Sequence, residues 1–257
     1  MTLSPAGLPE GCSLIDLDEV DSTNAEAMRC VLAGNYGPLW LMAARQSAGR
    51  GRSGRQWTSK PGNLYASYAS ALSCAPAKAG ELSLVAGVAA IDAIRLAGGV
   101  PGLRLKWPND ILIDRAKVGG ILVESSSPMP QAGIVAVVGV GLNLASAPDD
   151  LGRAATFLAA HGLNLSPRDA LCFLAQTMQD WITIWHGGEG FERVRRAWLA
   201  RAGEIGEALT VNTLQGAVSG SFAGIDEHGA LLIRDGEGLV RTFSFGDVTL
   251  TKKDSEA

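Results

Sequence analysis

Apolar residues recur at two different periods along the chain, and together they predict both helices and strands. A spacing of three to four residues, which places apolar side chains on one helical face, marks four segments. Ser22 and Ser166 are typical caps at the start of two of them, and Gly34 and Gly187 are typical stops. The predicted helices cover residues 25–33, 82–96, 167–186 and 191–202.

Shorter apolar runs between these helices predict strands. Several of the links are too short for a helical crossover, so we expect a mainly antiparallel mixed sheet that is flanked by the helices. The sequence Pro108-Asn109-Asp110 is typical of a chain reversal and joins two of the strands in a hairpin. The predicted strands cover residues 13–17, 39–44, 64–72, 103–107, 111–114, 118–124 and 133–144.

The pattern changes at Ala208. From there onward the chain has short apolar runs separated by the turn-forming residues 226–229 and 235–238. This pattern indicates a small β-barrel that follows the α+β part of the chain. We therefore predict two domains, residues 1–206 and residues 207–257.

Composition narrows the class of protein. The chain has 257 residues, 47% of them hydrophobic, which is enough for one substantial core and a small second domain. A net charge of −4 argues against a general binder of nucleic acid or anionic membranes. The four cysteines are scattered, which indicates reduced thiols. No secretory signal opens the sequence, and the apolar run 133–144 falls short of the roughly 20 residues that span a membrane, so we expect a cytoplasmic protein.

A basic, glycine-rich segment at residues 49–55 stands out in this acidic chain. Four arginines and no acidic residue lie from Arg45 to Arg55. The glycines at 49, 51 and 54 let the backbone approach a ligand closely, and the arginines at 50, 52 and 55 can each bind two oxygens of a phosphate or carboxylate. We expect an anionic ligand here; a solvated basic surface loop is the alternative.

The same glycines fit the G-x-G-x-x-G dinucleotide fingerprint, but their context excludes it. That fingerprint opens a helix inside a parallel βαβ unit, and an acidic residue follows about 20 positions later. Residues 56–62 indicate no helix, and residues 68–73 contain no Asp or Glu. A P-loop is excluded too, because no Gly-Lys-Ser or Gly-Lys-Thr ends the segment.

Three further motifs place polar groups beside the predicted strands: Lys106-Trp107-Pro108-Asn109-Asp110, Lys117 with Gly119-Gly120, and Gly139-Val140-Gly141 with Asn143. Oxygen ligands of the first motif suit Mg²⁺, and a lysine in the second can stabilise charge on a phosphate. Glycine weakens a strand, so we expect these glycines to leave room for a ligand. An ordinary core turn, a solvent-facing lysine and a buried bulge are the alternatives.

Taken together and in order, these residues resemble the biotin protein ligase family. The resemblance covers roughly residues 13–143 by motif and 208–250 by the small barrel that the family carries. The matching motifs are Asp21-Ser22-Thr23-Asn24, Gln46-x-x-Gly-Arg-Gly-Arg-x-Gly-Arg-x-Trp57, Lys106-Trp-Pro-Asn-Asp110, Lys117-x-Gly-Gly-Ile-Leu-Val-Glu124 and Gly139-x-Gly-x-Asn143.

The resemblance implies a fold and a reaction. The fold is a class II synthetase-like catalytic domain with a C-terminal SH3-like barrel. In the reaction, biotin and ATP give biotinyl-5′-AMP with Mg²⁺, and a lysine of a carboxylase's biotin carboxyl carrier domain then accepts the biotinyl group. The segment 49–55 would close over the adenylate, because a mixed anhydride hydrolyses readily in water. Edge strands of the family's sheet often pair, so a homodimer can form.

The resemblance also assigns residues to three tasks. The catalytic group is Lys117, Arg52 and Asp110, and Asp110 is in addition a candidate Mg²⁺ ligand. The biotin-binding group is Ser22, Thr23, Asn24, Gln46, Arg50, Gly51, Arg52, Lys117, Gly120 and Gly139. The ATP- and adenylate-binding group is Arg52, Arg55, Trp57, Asn109, Lys117 and Asn143.

Two alternatives and one departure qualify this assignment. Many bacterial relatives carry a helix-turn-helix domain ahead of the catalytic domain, whereas the motifs here begin about 20 residues from Met1, so we expect no DNA binding. A lipoate or octanoate ligase shares the fold and the adenylation chemistry but lacks the Gly-Arg-Gly-Arg pattern. A non-catalytic biotin sensor is the second alternative, and Lys117 argues against it.

Overall fold

A computed structural model describes residues 7–127, 133–148 and 154–251. The helices are α1 (Thr23–Leu32), α2 (Glu81–Leu96), α3 (Pro167–Trp185) and α4 (Phe191–Leu199). The strands are β1 (Ser13–Val20), β2 (Leu39–Gln46), β3 (Leu64–Leu72), β4 (Leu103–Lys106), β5 (Asp110–Ile113), β6 (Ala116–Ser126), β7 (Ile134–Leu142), β8 (Ala208–Thr213), β9 (Gly216–Ile225), β10 (Leu231–Arg234), β11 (Val240–Phe243) and β12 (Asp247–Leu250).

Seven strands form one mixed sheet in the order β1-β2-β3-β7-β6-β5-β4. Strands β1 and β2 run parallel, because α1 provides the crossover between them, and the other pairs are antiparallel. The predicted α+β class with a mainly antiparallel mixed sheet and flanking helices is therefore confirmed. Among the described residues, no helix has both the length and the apolar character needed to cross a bilayer.

The two faces of this sheet are covered differently. Helices α2 and α3 pack on one face, where Val138, Val140 and Leu142 of β7 point into the main core. Helix α1 packs on the other face through Val31, against alternate β7 residues such as Val137. The face that carries α1 is covered only in part, which leaves the adjoining stretch of sheet accessible for a site.

Some element ends differ from the predicted ones, and hydrogen bonds explain the differences. Helix α1 begins at Thr23 rather than residue 25, because Ser22 alone is the cap and its Oγ accepts from the Ala25 amide. Strand β1 extends to Val20 because its pairing with β2 continues that far. Helix α4 stops at Leu199 rather than residue 202, since the Arg201 carbonyl accepts a hydrogen bond from the Leu105 amide at 2.7 Å and the chain turns towards β4.

The C-terminal strands form a five-stranded antiparallel sheet in the order β11-β10-β9-β8-β12. Within the described residues, β11 and β12 lie at the edges, so we describe the sheet as open rather than as a closed barrel. The hydrophobic core continues into it: the rings of Trp198 and Phe222 lie 6.4 Å apart, and Arg104 forms two hydrogen bonds, at 2.8 and 2.9 Å, with Glu207. The division at residues 206 and 207 stays a prediction, and its outer ends at residues 1 and 257 lie outside the described residues.

Candidate functional site

A cavity of about 770 Å³ opens on the face of the sheet that carries α1. This is within the usual size range of small-molecule sites. The sequence of β7 explains its position: on this face Val135 and Val137 pack under α1, and the next two residues of the same register are Gly139 and Gly141. Because the glycines have no side chains, the surface of the sheet is recessed beyond the valines, and the cavity begins there.

Fourteen of the fifteen predicted site residues line this cavity. They are Ser22, Thr23, Asn24, Gln46, Arg50, Gly51, Arg52, Arg55, Trp57, Asn109, Asp110, Lys117, Gly120 and Gly139. The exception is Asn143, which is buried beside β6 and donates its amide to the Thr156 carbonyl at 3.0 Å. The structure thus brings together residues of all five motifs, from Ser22 to Gly139, while the nucleotide-binding role of Asn143 stays a prediction.

A hydrogen-bonded network of uncharged side chains forms one part of the cavity wall. The Gln46 Oε1 accepts from the Thr23 amide at 2.8 Å and from the Thr23 hydroxyl at 3.0 Å. The Ser67 hydroxyl lies 2.8 Å from Thr23 Oγ1 and 2.6 Å from Asn24 Oδ1. Because these groups are tied to each other before any ligand arrives, this part of the wall presents donors and acceptors at fixed positions.

The amide of Asn24 is held on three sides. Its Nδ2 donates to Glu124 Oε2 at 2.8 Å and to the Leu122 carbonyl at 3.2 Å, and its Oδ1 lies next to Gly139. A Cβ at Gly139 would stand 2.2 Å from this Oδ1. Gly139 is therefore required by Asn24, a side chain of the protein itself.

The need for glycine at positions 120 and 141 is explained in the same way, by the side chain of Trp57. A Cβ at Gly141 would stand 2.6 Å from the Trp57 ring, and one at Gly120 would stand 3.0 Å from it. We expected these glycines to leave room for a ligand against the backbone, and this expectation is wrong in part, because the indole of Trp57 rests on them. Its buried Nε1 finds no acceptor among the residues that the structure describes, and an unpaired buried donor indicates a polar partner that is brought by a ligand or water.

The packing of Trp57 on Gly141 can be tested by adding one methyl group. We expect Gly141→Ala to destabilise the fold by about 1–3 kcal/mol, because the new Cβ must displace the indole. Gly80→Ala is the matched control: Gly80 has nothing within 4 Å of an added Cβ and a helical backbone. Urea unfolding of both variants measures the difference, and equal midpoints would show that Trp57 is not held on Gly141.

A compact charged cluster forms another part of the wall. The carboxylate of Asp110 contacts the ammonium groups of both Lys117 and Lys106, the latter at 2.7 Å. Burial by itself raises the pKa of Asp110, but the two ammonium groups outweigh it and hold the pKa well below the usual 3.8. Two cations and one anion leave the cluster with a single positive charge, in a buried position where it is weakly screened.

The predicted role of Asp110 as a Mg²⁺ ligand does not fit these contacts. Magnesium is usually held by one or two carboxylates together with substrate phosphates, and the Asp110 carboxylate is already occupied by two ammonium groups. Within residues 7–127, 133–148 and 154–251, no cluster of three or more His, Cys, Asp or Glu side chains could hold a metal ion. The charged cluster is better suited to an anionic ligand than to a cation.

The basic segment at residues 49–55 forms a third part of the cavity wall. Residues Arg50 and Gln56 form a β-bridge, and the turn between them contains Ser53 and Gly54, both with positive φ. Burial lowers the pKa of Arg52 from its usual value, but a guanidinium remains charged at neutral pH. Arg52 therefore adds a positive charge to this side of the cavity.

Each arginine of this segment has a different partner. Arg50 pairs with Glu124 at 3.1 Å, and Arg55 pairs with Asp247 of β12 at 2.7 Å. Arg52 donates to the carbonyl of Gly246 at 3.4 Å. The C-terminal sheet thus borders the cavity directly, and Lys106 adds a hydrogen bond to the Val248 carbonyl at 2.8 Å.

Sequence reasoning missed several residues of the site. Ser67 was not singled out, and Glu124 appeared only as the end of its motif, without a role. Strand pairing places Ser67 opposite Gly139 and Glu124 opposite Val137, on the same face. Lys106 was recognised only as part of its motif. Asp247 had no signal in the sequence, because its place at the cavity depends on how the C-terminal sheet packs against the catalytic part.

Comparisons with known proteins agree with this arrangement. Residues 19–143 match the model of the biotin/lipoate A/B protein ligase family, and residues 205–250 match that of the biotin protein ligase C-terminal domain. The chain is 40% identical over 225 residues to a biotin–[acetyl-CoA-carboxylase] ligase of Paracoccus denitrificans, which covers 85% of this chain and 92% of that protein.

Two solved structures are similar throughout most of the chain. The biotin protein ligase of Aquifex aeolicus in complex with biotin and ATP has a TM-score of 0.78 and 28% identity, and the match covers 94% of this chain and 99% of that one. The biotin protein ligase of Leishmania major in complex with biotinyl-5-AMP has a TM-score of 0.62 and 26% identity, with 92% and 100% covered.

Proposed function

This chain belongs to the biotin protein ligase family, and on that premise we propose that it activates biotin with ATP and transfers the biotinyl group to a lysine of a carrier protein. The acetyl-CoA carboxylase ligase from Paracoccus denitrificans supports a biotin carboxyl carrier domain as the acceptor. The Aquifex and Leishmania complexes support biotin, ATP and biotinyl-5′-AMP as the molecules that occupy the cavity.

The proposal rests on one observation: the hydrogen-bonded network of uncharged side chains and the positively charged cluster border the same cavity. The first surrounds Gly139 and the second surrounds Gly120, which pairs with Gly141 two residues further along β7. Two residues along a strand correspond to roughly 7 Å. A ligand with an uncharged polar ring at one end and an acid at the other suits this layout, and biotin has a ureido ring and a carboxylate.

In the first step a carboxylate oxygen of biotin attacks the α-phosphorus of ATP, and pyrophosphate leaves. Two anions must approach each other, so fixed positive charge lowers the barrier. Lys117 is the group we assign to this task, because it lies in the cavity floor and its neighbour Asp110 fixes its position. Arg52 and Arg55 line the same cavity from the basic segment and would bind the phosphates of ATP, which enters as its magnesium complex.

In the second step the amine of the carrier lysine attacks the acyl carbon of the adenylate. The bond between that carbon and the phosphate oxygen breaks, AMP leaves, and the attacking nitrogen loses a proton. The same cations would stabilise the departing phosphate. The indole N–H of Trp57 would gain the acceptor that it lacks among the described residues.

The substrate is tested by labelling a purified carrier domain with ATP, Mg²⁺ and either biotin or lipoate. We expect biotin to be attached at least about 100-fold faster than lipoate, because a hydrogen-bonding wall rejects a ligand that leaves its polar groups unpaired. Mass spectrometry of the carrier measures both products. Lipoylation at an equal or higher rate would favour a lipoate ligase, and binding of biotin without release of pyrophosphate would favour a non-catalytic sensor.

A further inference from the structure

We propose that Glu124 is a positioning residue for the biotin end of the cavity, which fixes the orientation of the Asn24 amide and ties Arg50 to the sheet. The inference rests on the proposed function, since it concerns the recognition of the ureido ring. Glu124 is not among the residues that line the cavity within the described chain. It therefore acts through its neighbours and not by touching the ligand.

The orientation of Asn24 follows from what Glu124 can do chemically. An ionised carboxylate accepts hydrogen bonds and cannot donate them. The Asn24 group that faces Glu124 Oε2 at 2.8 Å must therefore be its NH₂, and the second hydrogen of that NH₂ goes to the Leu122 carbonyl at 3.2 Å. An amide that is turned by 180° would place its oxygen against two acceptors, which is unfavourable in a buried position.

Once the NH₂ is fixed, Asn24 Oδ1 must point to the opposite side. There it accepts from the Ser67 hydroxyl at 2.6 Å and lies over Gly139 in the cavity floor. A carbonyl oxygen can accept two hydrogen bonds, and a ureido ring carries two N–H donors. Glu124 thus determines that the cavity presents an acceptor to this ring at Asn24.

The same carboxylate oxygen also holds the basic segment. Arg50 Nη2 lies 3.1 Å from Glu124 Oε2, so one oxygen joins α1 through Asn24, strand β6 through Glu124 itself and the segment through Arg50. The Glu124 side chain is 30% exposed and that of Arg50 48%, so their attraction is partly screened by solvent. We therefore expect the hydrogen bond to Asn24 to dominate the effect on binding.

The first test replaces the acceptor and measures biotin binding by isothermal titration calorimetry. In Glu124→Leu we expect the Kd for biotin to rise about 10- to 100-fold, with the KM for ATP within about twofold of the parent value. Glu124→Gln should recover most of the affinity, because its Oε1 can still accept from Asn24. Glu19→Leu is the control, since Glu19 pairs with Arg45 on the neighbouring strands and lies outside the cavity wall; its Kd should not change.

A second test does not depend on the folding of Glu124→Leu. Asn24→Asp places two carboxylates against each other and should weaken biotin binding by a similar factor. Adding Glu124→Gln to that variant provides a donor for the new carboxylate, which can again present an acceptor to the cavity. The double variant should bind biotin at least about fivefold more tightly than Asn24→Asp.

The outcomes distinguish a failure of the inference about Glu124 from a failure of the proposed function. The inference is overturned if Glu124→Leu folds and binds biotin within twofold of the parent, if biotin Kd and ATP KM rise together, or if the double variant shows no recovery. The proposed function fails instead if the unsubstituted protein itself does not bind biotin.

Discussion

Replacement of Lys117 by methionine is expected to lower the rate of biotin-dependent pyrophosphate exchange by about 10²–10³, the usual effect of removing one group that stabilises transition-state charge. Lys117 is only 7% exposed and lies in the cavity floor next to Asp110. Its ammonium group is also 5.4 Å from the centre of the Trp57 ring. A buried cation at this position acts in a weakly screened environment, so its loss should affect chemistry strongly.

The comparison variant for Lys117 is Lys106→Met, which removes the other ammonium group from the same carboxylate. Lys106 also donates a hydrogen bond to the Val248 carbonyl, so it links β4 of the seven-stranded sheet to β12 of the C-terminal sheet. We expect a smaller loss of exchange rate, about 10-fold, at comparable thermal stability. If the two variants lose activity equally, the total charge of the cluster matters and the position of Lys117 does not.

Asp110→Asn is expected to lower the free energy of unfolding by about 3–5 kcal/mol at pH 7 and to reduce pyrophosphate exchange about 100-fold. The buried ammonium group of Lys117 and the partly buried one of Lys106 would then face each other without their anion. Urea unfolding measures the first effect. Asp92→Asn offers a comparison, because Asp92 pairs with Arg201 at 2.8 Å and neither residue lines the cavity. Loss of exchange in both variants would indicate a general effect of destabilisation.

The pH dependence of stability gives a further check on Asp110. Its pKa in the folded protein is held below the usual 3.8, so ionised Asp110 stabilises the fold above that pH and loses this contribution as the pH falls through the folded value. The difference in unfolding free energy between the parent protein and Asp110→Asn should therefore be constant from about pH 5 to 8. It should shrink only under strongly acidic conditions, and a difference that disappears near pH 6 would contradict the assignment.

The sequence predicts the architecture of this protein well because local signals and hydrophobic period agree. The run of apolar residues in β7, the serine that caps α1 and the Pro108 turn each had one dominant interpretation, and each is observed. The limits of β1 and α4 could not be predicted in the same way. They depend on pairing with β2 and β4, which are contacts with residues far away in sequence.

The candidate site, too, could be predicted from the sequence only as far as local motifs determine it. The motifs predicted which residues meet in the cavity, but not what each one contacts. The glycines of β6 and β7 were expected to make room for a ligand, whereas Asn24 and Trp57 occupy the space over Gly139 and Gly141. Glu124 and Asp247 act through the register of the sheet and the packing of the C-terminal strands, neither of which the sequence reveals.

The contacts of segment 49–55 also show which groups its arginines bind before a ligand enters. Its arginines are bound to three parts of the molecule: β6, the chain before β12 and β12 itself. The contacts of Arg52 and Arg55 would have to be exchanged or shared when phosphates enter. The ordering of the segment around the adenylate stays a prediction.

The central claim is that this cavity joins biotin to AMP, and the exchange of radiolabelled pyrophosphate into ATP tests it most directly. The measurement needs only the purified chain, ATP, Mg²⁺ and biotin, and no carrier protein. The expected result is exchange that requires biotin, is not supported by lipoate and falls at least about 100-fold in Lys117→Met. Exchange that proceeds equally without biotin, or none at all from a folded protein that binds biotin, would contradict the account.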